Sequence, residues 1–141
     1  MAKFSQRSID ALCGVHPDLV KVLHEAIKNT PVDFTIVSGV RTTEQQKELY
    51  AQGRTKPGPK VTNADGVRNK SNHQAKSDGW GHAVDLYPYY NGSVQVTDAQ
   101  VVPKLKVIAD HIIKTAKGMG INISWGGAWT SLRDYPHFEL K

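Results

Sequence analysis

Apolar residues recur at helical spacing in two long stretches of the chain. Leu19, Val22, Leu23, Ala26 and Ile27 follow an i, i+3, i+4, i+7, i+8 order, so the segment opened by His16-Pro17-Asp18 predicts a helix burying one stripe. Pro17 suits a first helical turn, and Asp18 complements the positive end of the helix dipole. Leu105, Ile108, Ala109, Ile112 and Ala116 predict a longer helix that ends at Gly118 or Gly120. His24 and His111 fall off these stripes and read as surface positions. A short first helix is expected from Ser5 to Val15, with Cys13 buried among Ile9, Leu12 and Val15.

Elsewhere the pattern is extended or irregular. Asp33 to Ser38 is β-branched and aromatic, a strand punctuated by Gly39. Thr43-Glu44-Gln45-Gln46 fits a capping box opening a helix that runs to Gly53. Arg41 therefore lies at a strand-to-helix junction, where side chains often point into a site. Ala83 to Tyr87 predicts a strand, and Asn91-Gly92 a type I′ turn pairing Tyr87–Tyr90 with Ser93–Val96. Thr97-Asp98-Ala99-Gln100 reads as a second capping box, Ile121 to Trp125 alternates as a strand, and His137 to Leu140 forms a last one. Between Arg54 and Trp80 there is no periodicity, only turn formers such as Pro57, Gly58, Asn63, Gly66 and Asn69. A loop of that length in a compact domain is uncommon and often functional. Strands and helices mix without a βαβ rhythm. The expected fold class is α+β, one small domain over residues 1–141, with a mainly antiparallel sheet packed with helices.

Charge and cysteine content narrow the chemistry. The chain has a net charge of +5, and its pI is near 9.4. That favours an anionic partner. The basic residues are dispersed and no recognition motif accompanies them, so a nucleic-acid partner is not expected. Cys13 is the single cysteine, which excludes an intrachain disulfide and a cysteine-based zinc site. The start, Met1-Ala2-Lys3-Phe4-Ser5-Gln6-Arg7, has no apolar core of a secretory signal, and no apolar run is long enough to span a bilayer. The expectation is a soluble protein made in the cytoplasm, without membrane insertion.

The candidate chemistry lies in His73, Asp85, His137 and Asp134. Two neutral imidazoles and one carboxylate would leave a bound metal with net positive charge and a further position for water. A second carboxylate must then move the proton, and Asp134 stands three residues before His137. Spacing alone leaves the matter open. There is no His-Glu-x-x-His, Asp85 reads equally as a strand residue capping an amide, and Asp134 as a turn residue before Tyr135-Pro136.

Four motifs, taken in order, close part of that gap. Ser38-Gly39-Val40-Arg41-Thr42, Ser71-Asn72-His73, Gly81-His82-Ala83-Val84-Asp85 and Asp134-Tyr135-Pro136-His137-Phe138-Glu139-Leu140 resemble the zinc D-Ala-D-Ala carboxypeptidase and L-alanyl-D-glutamate endopeptidase family. The likeness is closest to its small phage endolysins. Gly14 to Leu19, Glu44 to Thr55, and Trp125-Gly126-Gly127 with Trp129 extend it over nearly the whole chain. The resemblance implies a hedgehog/D-Ala-D-Ala peptidase-like fold and Zn2+ held by His73, Asp85 and His137. It implies Asp134 as general base and Arg41 steadying the substrate carbonyl. It further implies a monomer cutting the peptidoglycan stem peptide at the L-alanyl-D-glutamate bond, in host lysis, reaching the wall from the host cytoplasm by a holin-like route. A D-Ala-D-Ala carboxypeptidase, or a non-catalytic wall-binding module on the same fold, is the alternative.

One departure matters. The family places two residues between the first histidine and the glycine, whereas here Gln74 to Trp80 intervene. His82 thereby becomes a rival ligand. In a strand His82 and Asp85 point to opposite faces, and His73 keeps the Ser-x-His context, so His73 is preferred. The insertion is expected to form a lobe at the rim, with Trp80 either against substrate or in packing. Glu139 shares a face with His137, as its partner or as an exposed ion pair. Trp125 and Trp129 read as core or cleft-wall residues.

Overall fold

A computed structural model describes residues 3–130 and 133–141; Met1 and Ala2, the start of the N-terminal stretch read above, lie outside the described residues. The elements are α1 (Gln6–Ala11), α2 (Pro17–Lys28), β1 (Phe34–Ser38), α3 (Thr43–Ala51), β2 (Ala83–Tyr90), β3 (Ser93–Val94), α4 (Val101–Gly118), β4 (Ile123–Trp125) and β5 (His137–Leu140). Strands run antiparallel in the order β1-β2-β5-β4, with β3 on the outer end of β2. The α+β class and the antiparallel sheet match the expectation.

One face of the sheet makes the core. Val84, Leu86, Ile36 and Phe138 point toward Leu19, Leu23, Leu105, Ile108 and Ile112 from α2 and α4, all fully or almost fully buried. Side chains alternate along a strand, so the residues between Val84, Leu86 and Phe138 face the other way. Asp85 and His137 are such residues, and they are direct register partners on β2 and β5. Antiparallel partners carry side chains within about 5 Å of each other on one face. The sheet thus brings two sequence-distant polar groups together above a dry core.

Several local expectations are corrected. The first helix stops at Ala11, not Val15, because Leu12 to Gly14 form a turn, with Gly14 at φ 82°. Cys13 consequently faces solvent and Ile9 is exposed, while Ser8 is the buried residue, its Oγ accepting the Ile36 N–H at 3.0 Å. The α3 capping box is present but set one residue earlier: Thr42 Oγ1 accepts from Gln45 N–H, and the Gln45 side chain accepts from Thr42 N–H. The second box does not form. Asp98 turns instead to the Gln100 N–H and the Tyr90 hydroxyl, and α4 opens without a side-chain cap. The hairpin turn at Asn91-Gly92 has both residues at positive φ as a type I′ turn requires, but β3 pairs over Ser93–Val94 alone. His111 is not merely a surface residue; its Nε2 bonds the Ala26 carbonyl at 2.8 Å and ties α4 to α2.

The segment from Gln52 to His82 contains no helix or extended strand, as its composition predicts. Two buried glutamines hold it down. Gln46 on α3 donates to the Ala64 carbonyl at 2.8 Å, and Gln74 donates to the Gly66 carbonyl at 3.1 Å while accepting from Ser71 N–H. Buried amides of this kind satisfy loop carbonyls that no sheet partner would reach.

Candidate metal centre

The polar face of the sheet gathers four of the five predicted site residues around one point, and the fifth borders it. His73 Nε2, Asp85 and His137 Nδ1 all lie within 4.8 Å of one another. Asp85 Oδ1 is 3.4 Å from His73 Nε2 and 3.5 Å from His137 Nδ1, and the two ring nitrogens are 3.1 Å apart. His73 and His137 are buried. Asp134 Oδ2 stands 3.8 Å from His137 Nδ1, with its side chain 45% exposed at the open side. Arg41 Nη2 lies 3.6 Å from Asp85 Oδ2.

Each position has a local cause. Arg41 leaves the end of β1 with its N–H bonded to the His73 carbonyl at 2.8 Å, and its Nη1 donates to Gln46 Oε1 at 2.8 Å. Gly39 is required there, because a Cβ would come within 1.9 Å of the Ala11 carbonyl oxygen. The Gly39 carbonyl in turn accepts from His73 Nδ1 at 2.9 Å. Asp134 is set by a bond from its N–H to the Gly126 carbonyl, and a Cβ at Gly126 would sit 2.3 Å from the Asp134 carbonyl oxygen.

Hydrogen bonding on the far side of each ring fixes its tautomer. His73 donates Nδ1–H to the Gly39 carbonyl, so Nε2 carries a lone pair toward the centre. His137 Nε2 bonds Glu139 Oε1 at 2.6 Å, so in the neutral ring Nδ1 carries the inward lone pair. Glu139 is itself held by Asn72 Nδ2 at 2.5 Å. With both rings neutral, two lone pairs and a carboxylate oxygen converge with no proton between them. Among the described residues, Asp85 Oδ1 is a buried side-chain oxygen without a hydrogen-bond partner. An orphaned buried oxygen facing two imidazole lone pairs is costly unless a cation completes it. Nitrogen and carboxylate donors with carbonyl and carboxylate partners behind the rings fit a divalent metal of the zinc type.

The electrostatics agree. Burial would raise the Asp85 pKa, but the adjoining His137 and His73 rings hold it well below the carboxylate range. Burial would lower the His137 pKa, yet Asp85 and Glu139 push it up to about 9. A second proton therefore favours His137 Nδ1 when no cation is bound, and a metal would take its place. Asp134 is raised by burial and by the negative charge of Asp85, while His137, His73 and Arg41 oppose the shift. Burial depresses the Arg41 pKa while Asp85 and Asp134 oppose it, so the guanidinium stays charged.

His82 is not part of this centre. Its ring points to the opposite side of β2, toward Asp78 and His16. Glu139 is a partner of His137 rather than an exposed ion pair. Trp129 packs its ring 5.0 Å from His137, and Trp125 stacks on Phe138 while donating to the Tyr135 carbonyl, so these are wall and core residues. Trp80 is 39% exposed. Sequence reasoning missed Gln46 and Gln74. Their signal is faint: a glutamine on a short, weakly amphipathic helix, and another directly after His73. An open groove of about 660 Å3 between α1 and α3 touches the centre only through Arg41.

Comparison with known proteins converges on one family and fold. The family model for phage L-alanyl-D-glutamate peptidases matches residues 1–140. The chain is 32% identical over 139 residues to the L-alanyl-D-glutamate peptidase of Escherichia phage T5, covering 99% of this chain and 89% of that protein. It is 31% identical over 138 residues to the peptidoglycan L-alanyl-D-glutamate endopeptidase CwlK of Bacillus subtilis, covering 89% of this chain and 73% of CwlK. Among solved structures, the Serratia marcescens L-Ala D-Glu endopeptidase ChiX superposes with a TM-score of 0.76 at 31% identity, over 99% of this chain and 90% of ChiX. The vancomycin-resistance D,D-dipeptidase VanXYg shares the fold at a TM-score of 0.54 and 19% identity, over 89% of this chain and 50% of that one. By sequence over almost its full length and by fold, this chain belongs to the phage L-alanyl-D-glutamate peptidase family.

Proposed function

We propose that this protein is a zinc-dependent peptidoglycan endopeptidase that hydrolyses the L-alanyl-D-glutamate bond of the stem peptide, acting as a phage-type endolysin. One observation carries the metal assignment. His73 Nε2 and His137 Nδ1 turn lone pairs, and Asp85 turns an unpartnered buried oxygen, toward one point. The bond assignment rests on family membership.

Zinc held by His73, Asp85 and His137 would supply Lewis acidity, activating water and polarising the scissile carbonyl. Asp134, beside His137 on the open side, takes a proton from the attacking water and delivers it to the departing amine nitrogen. The water oxygen forms the new bond to the carbonyl carbon as the C–N bond breaks. Arg41, fixed by Gln46 and its own backbone, faces the same point and offsets the charge that develops on the carbonyl oxygen. The net charge of +5 favours approach to an anionic envelope. Action as a monomer, and access to the wall by a holin-like route, complete the proposal.

The test is mass spectrometry of wall fragments digested with and without chelator, alongside metal analysis of the purified protein. One zinc per chain and new termini at L-alanine and D-glutamate are expected. Release of terminal D-alanine would instead assign a D-Ala-D-Ala carboxypeptidase. Intact fragments after digestion by the zinc-loaded protein would leave a wall-binding module.

A further inference from the structure

On the opposite side of β2 a second pair of imidazoles meets a carboxylate. His16, Asp78 and His82 offer ligand atoms within 4.8 Å of one another. Asp78 Oδ2 is 2.7 Å from His82 Nε2 and 3.9 Å from His16 Nε2, and the two rings stand edge to face at 5.0 Å. None of these residues takes part in the chemistry described above. We infer that His16, Asp78 and His82 form a second, weaker site for a divalent transition metal, which fastens the inserted rim segment to the body of the protein.

The donor set suits the ion. Imidazole nitrogen with a carboxylate oxygen selects zinc, nickel or copper over calcium and magnesium. A tetrahedral ion with bonds of roughly 2.0–2.1 Å spaces its ligand atoms by about 3.3 Å. The observed 2.7 and 3.9 Å lie on either side of that value, so small side-chain rotations bring the three donors into range.

The backbone prepares the site. His16 N–H bonds the Gly81 carbonyl at 2.8 Å, Gly81 N–H bonds the Gly14 carbonyl, and His82 N–H bonds the Asn72 carbonyl. Both histidines are therefore pinned before any ion binds. Asp78 comes from the insertion, in a turn closed by the Gly79 N–H to Lys76 carbonyl bond. Its Oδ1 accepts the Trp80 N–H at 3.0 Å, which leaves Oδ2 for the histidines. That amide and His82 hold its carboxyl below the usual range, so it presents an anion.

The weakness of the site is also structural. His16 Nδ1 accepts the Asp18 N–H as the cap of α2, so in the neutral ring the proton sits on Nε2, the nitrogen that faces Asp78. Binding through Nε2 moves that proton to Nδ1 and gives up the cap. Among the described residues, His82 bonds Asp78 through Nε2 and has no carbonyl or carboxylate partner behind its ring. Loss of such outer partners lowers metal affinity about 10- to 100-fold per site. The second equivalent is accordingly expected to bind at least that much more weakly than the first.

The experiment titrates the full chain, already carrying one equivalent of zinc, with further Zn2+ under equilibrium dialysis, and with Ni2+ while following tryptophan emission. A second equivalent and quenching attributable to Trp80 are expected. Asp78→Asn and His82→Gln should each lose the second equivalent and keep the first, and Trp80→Phe should lose the quenching while keeping both. His73→Gln should lose the tight equivalent and keep the weak one, which separates this inference from the function proposed above. Retention of the first equivalent reports that Asp78→Asn and His82→Gln are folded. Absence of a second equivalent up to about tenfold metal excess over protein at millimolar concentration, or its survival in both variants, overturns the inference.

Discussion

The two histidine–aspartate–histidine clusters have the same composition and each keeps its ligand atoms within 4.8 Å, yet they differ in what lies behind the rings. Around Asp85, each imidazole in its neutral form donates its outer N–H to an acceptor, Gly39 or Glu139, and turns a lone pair inward. Around Asp78, the neutral His16 ring accepts a hydrogen bond from the Asp18 N–H on its outer nitrogen and turns an N–H inward. The first cluster is buried beneath the Arg41 junction and β5; the second has its carboxylate 41% exposed. Proximity of donor residues is therefore a weak criterion for a metal site. Tautomer and burial decide whether the ligands are ready or must be rearranged.

The largest way to break the comparison is Asp85→Ala. It should remove the tight metal equivalent and wall hydrolysis together while leaving the weak equivalent, as read by metal analysis and fragment release. Asp134→Ala should separate the two properties: tight metal content stays, and turnover falls by about 10²- to 10⁴-fold. Unchanged turnover would remove Asp134 from proton transfer. Glu139→Gln keeps the shape but weakens the acceptor behind His137. A competition assay with a chelating indicator should give about 10- to 100-fold weaker binding at the tight site, with no change at the weak one.

Acidity sharpens the contrast further. The His137 pKa in the metal-free fold is about 9, above the ordinary value of 6.5. Its stabilising contribution is thus complete below about 6.5 and disappears as the pH rises through 9. Tight-site affinity runs the other way, rising by up to about tenfold per pH unit over that window as the competing proton leaves. Urea midpoints of the metal-free chain should fall between pH 6 and 9.5, while zinc dissociation constants should drop. The smallest effect is expected from His16→Ala, which removes the α2 cap. It should cost about 1 kcal/mol, a few degrees in Tm, with tight-site metal and hydrolysis retained.

The sequence carried these features unequally. The stripes of α2 and α4 were legible because five apolar residues at 3.6-residue spacing leave no competing reading. The end of α1 was not, since Ser8 replaces an apolar residue at the buried position and its hydroxyl serves a strand 28 residues away. The box predicted at Thr97 did not form because α4 begins only at Val101, after a turn in which Asp98 accepts from both the Gln100 N–H and the Tyr90 hydroxyl, the latter a contact made only once the hairpin folds. At the site, the order of motifs pointed to His73, Asp85, His137, Asp134 and Arg41, and strand alternation correctly set His82 apart from Asp85. Gln46 and Gln74 stayed hidden, because a buried amide is recognisable only from the loop carbonyls it satisfies. The second cluster stayed hidden for a similar reason: a parallel bridge between Val15 and Gly81 creates it, and no local pattern announces that pairing.

Anomalous diffraction at the zinc edge, from crystals of the chain prepared with one equivalent of zinc, tests the central claim most directly. The account predicts one strong peak bounded by His73 Nε2, Asp85 Oδ1 and His137 Nδ1, with Asp134 and Arg41 facing its open side. A peak between His16, Asp78 and His82 at that stoichiometry, with none at Asp85, would contradict it.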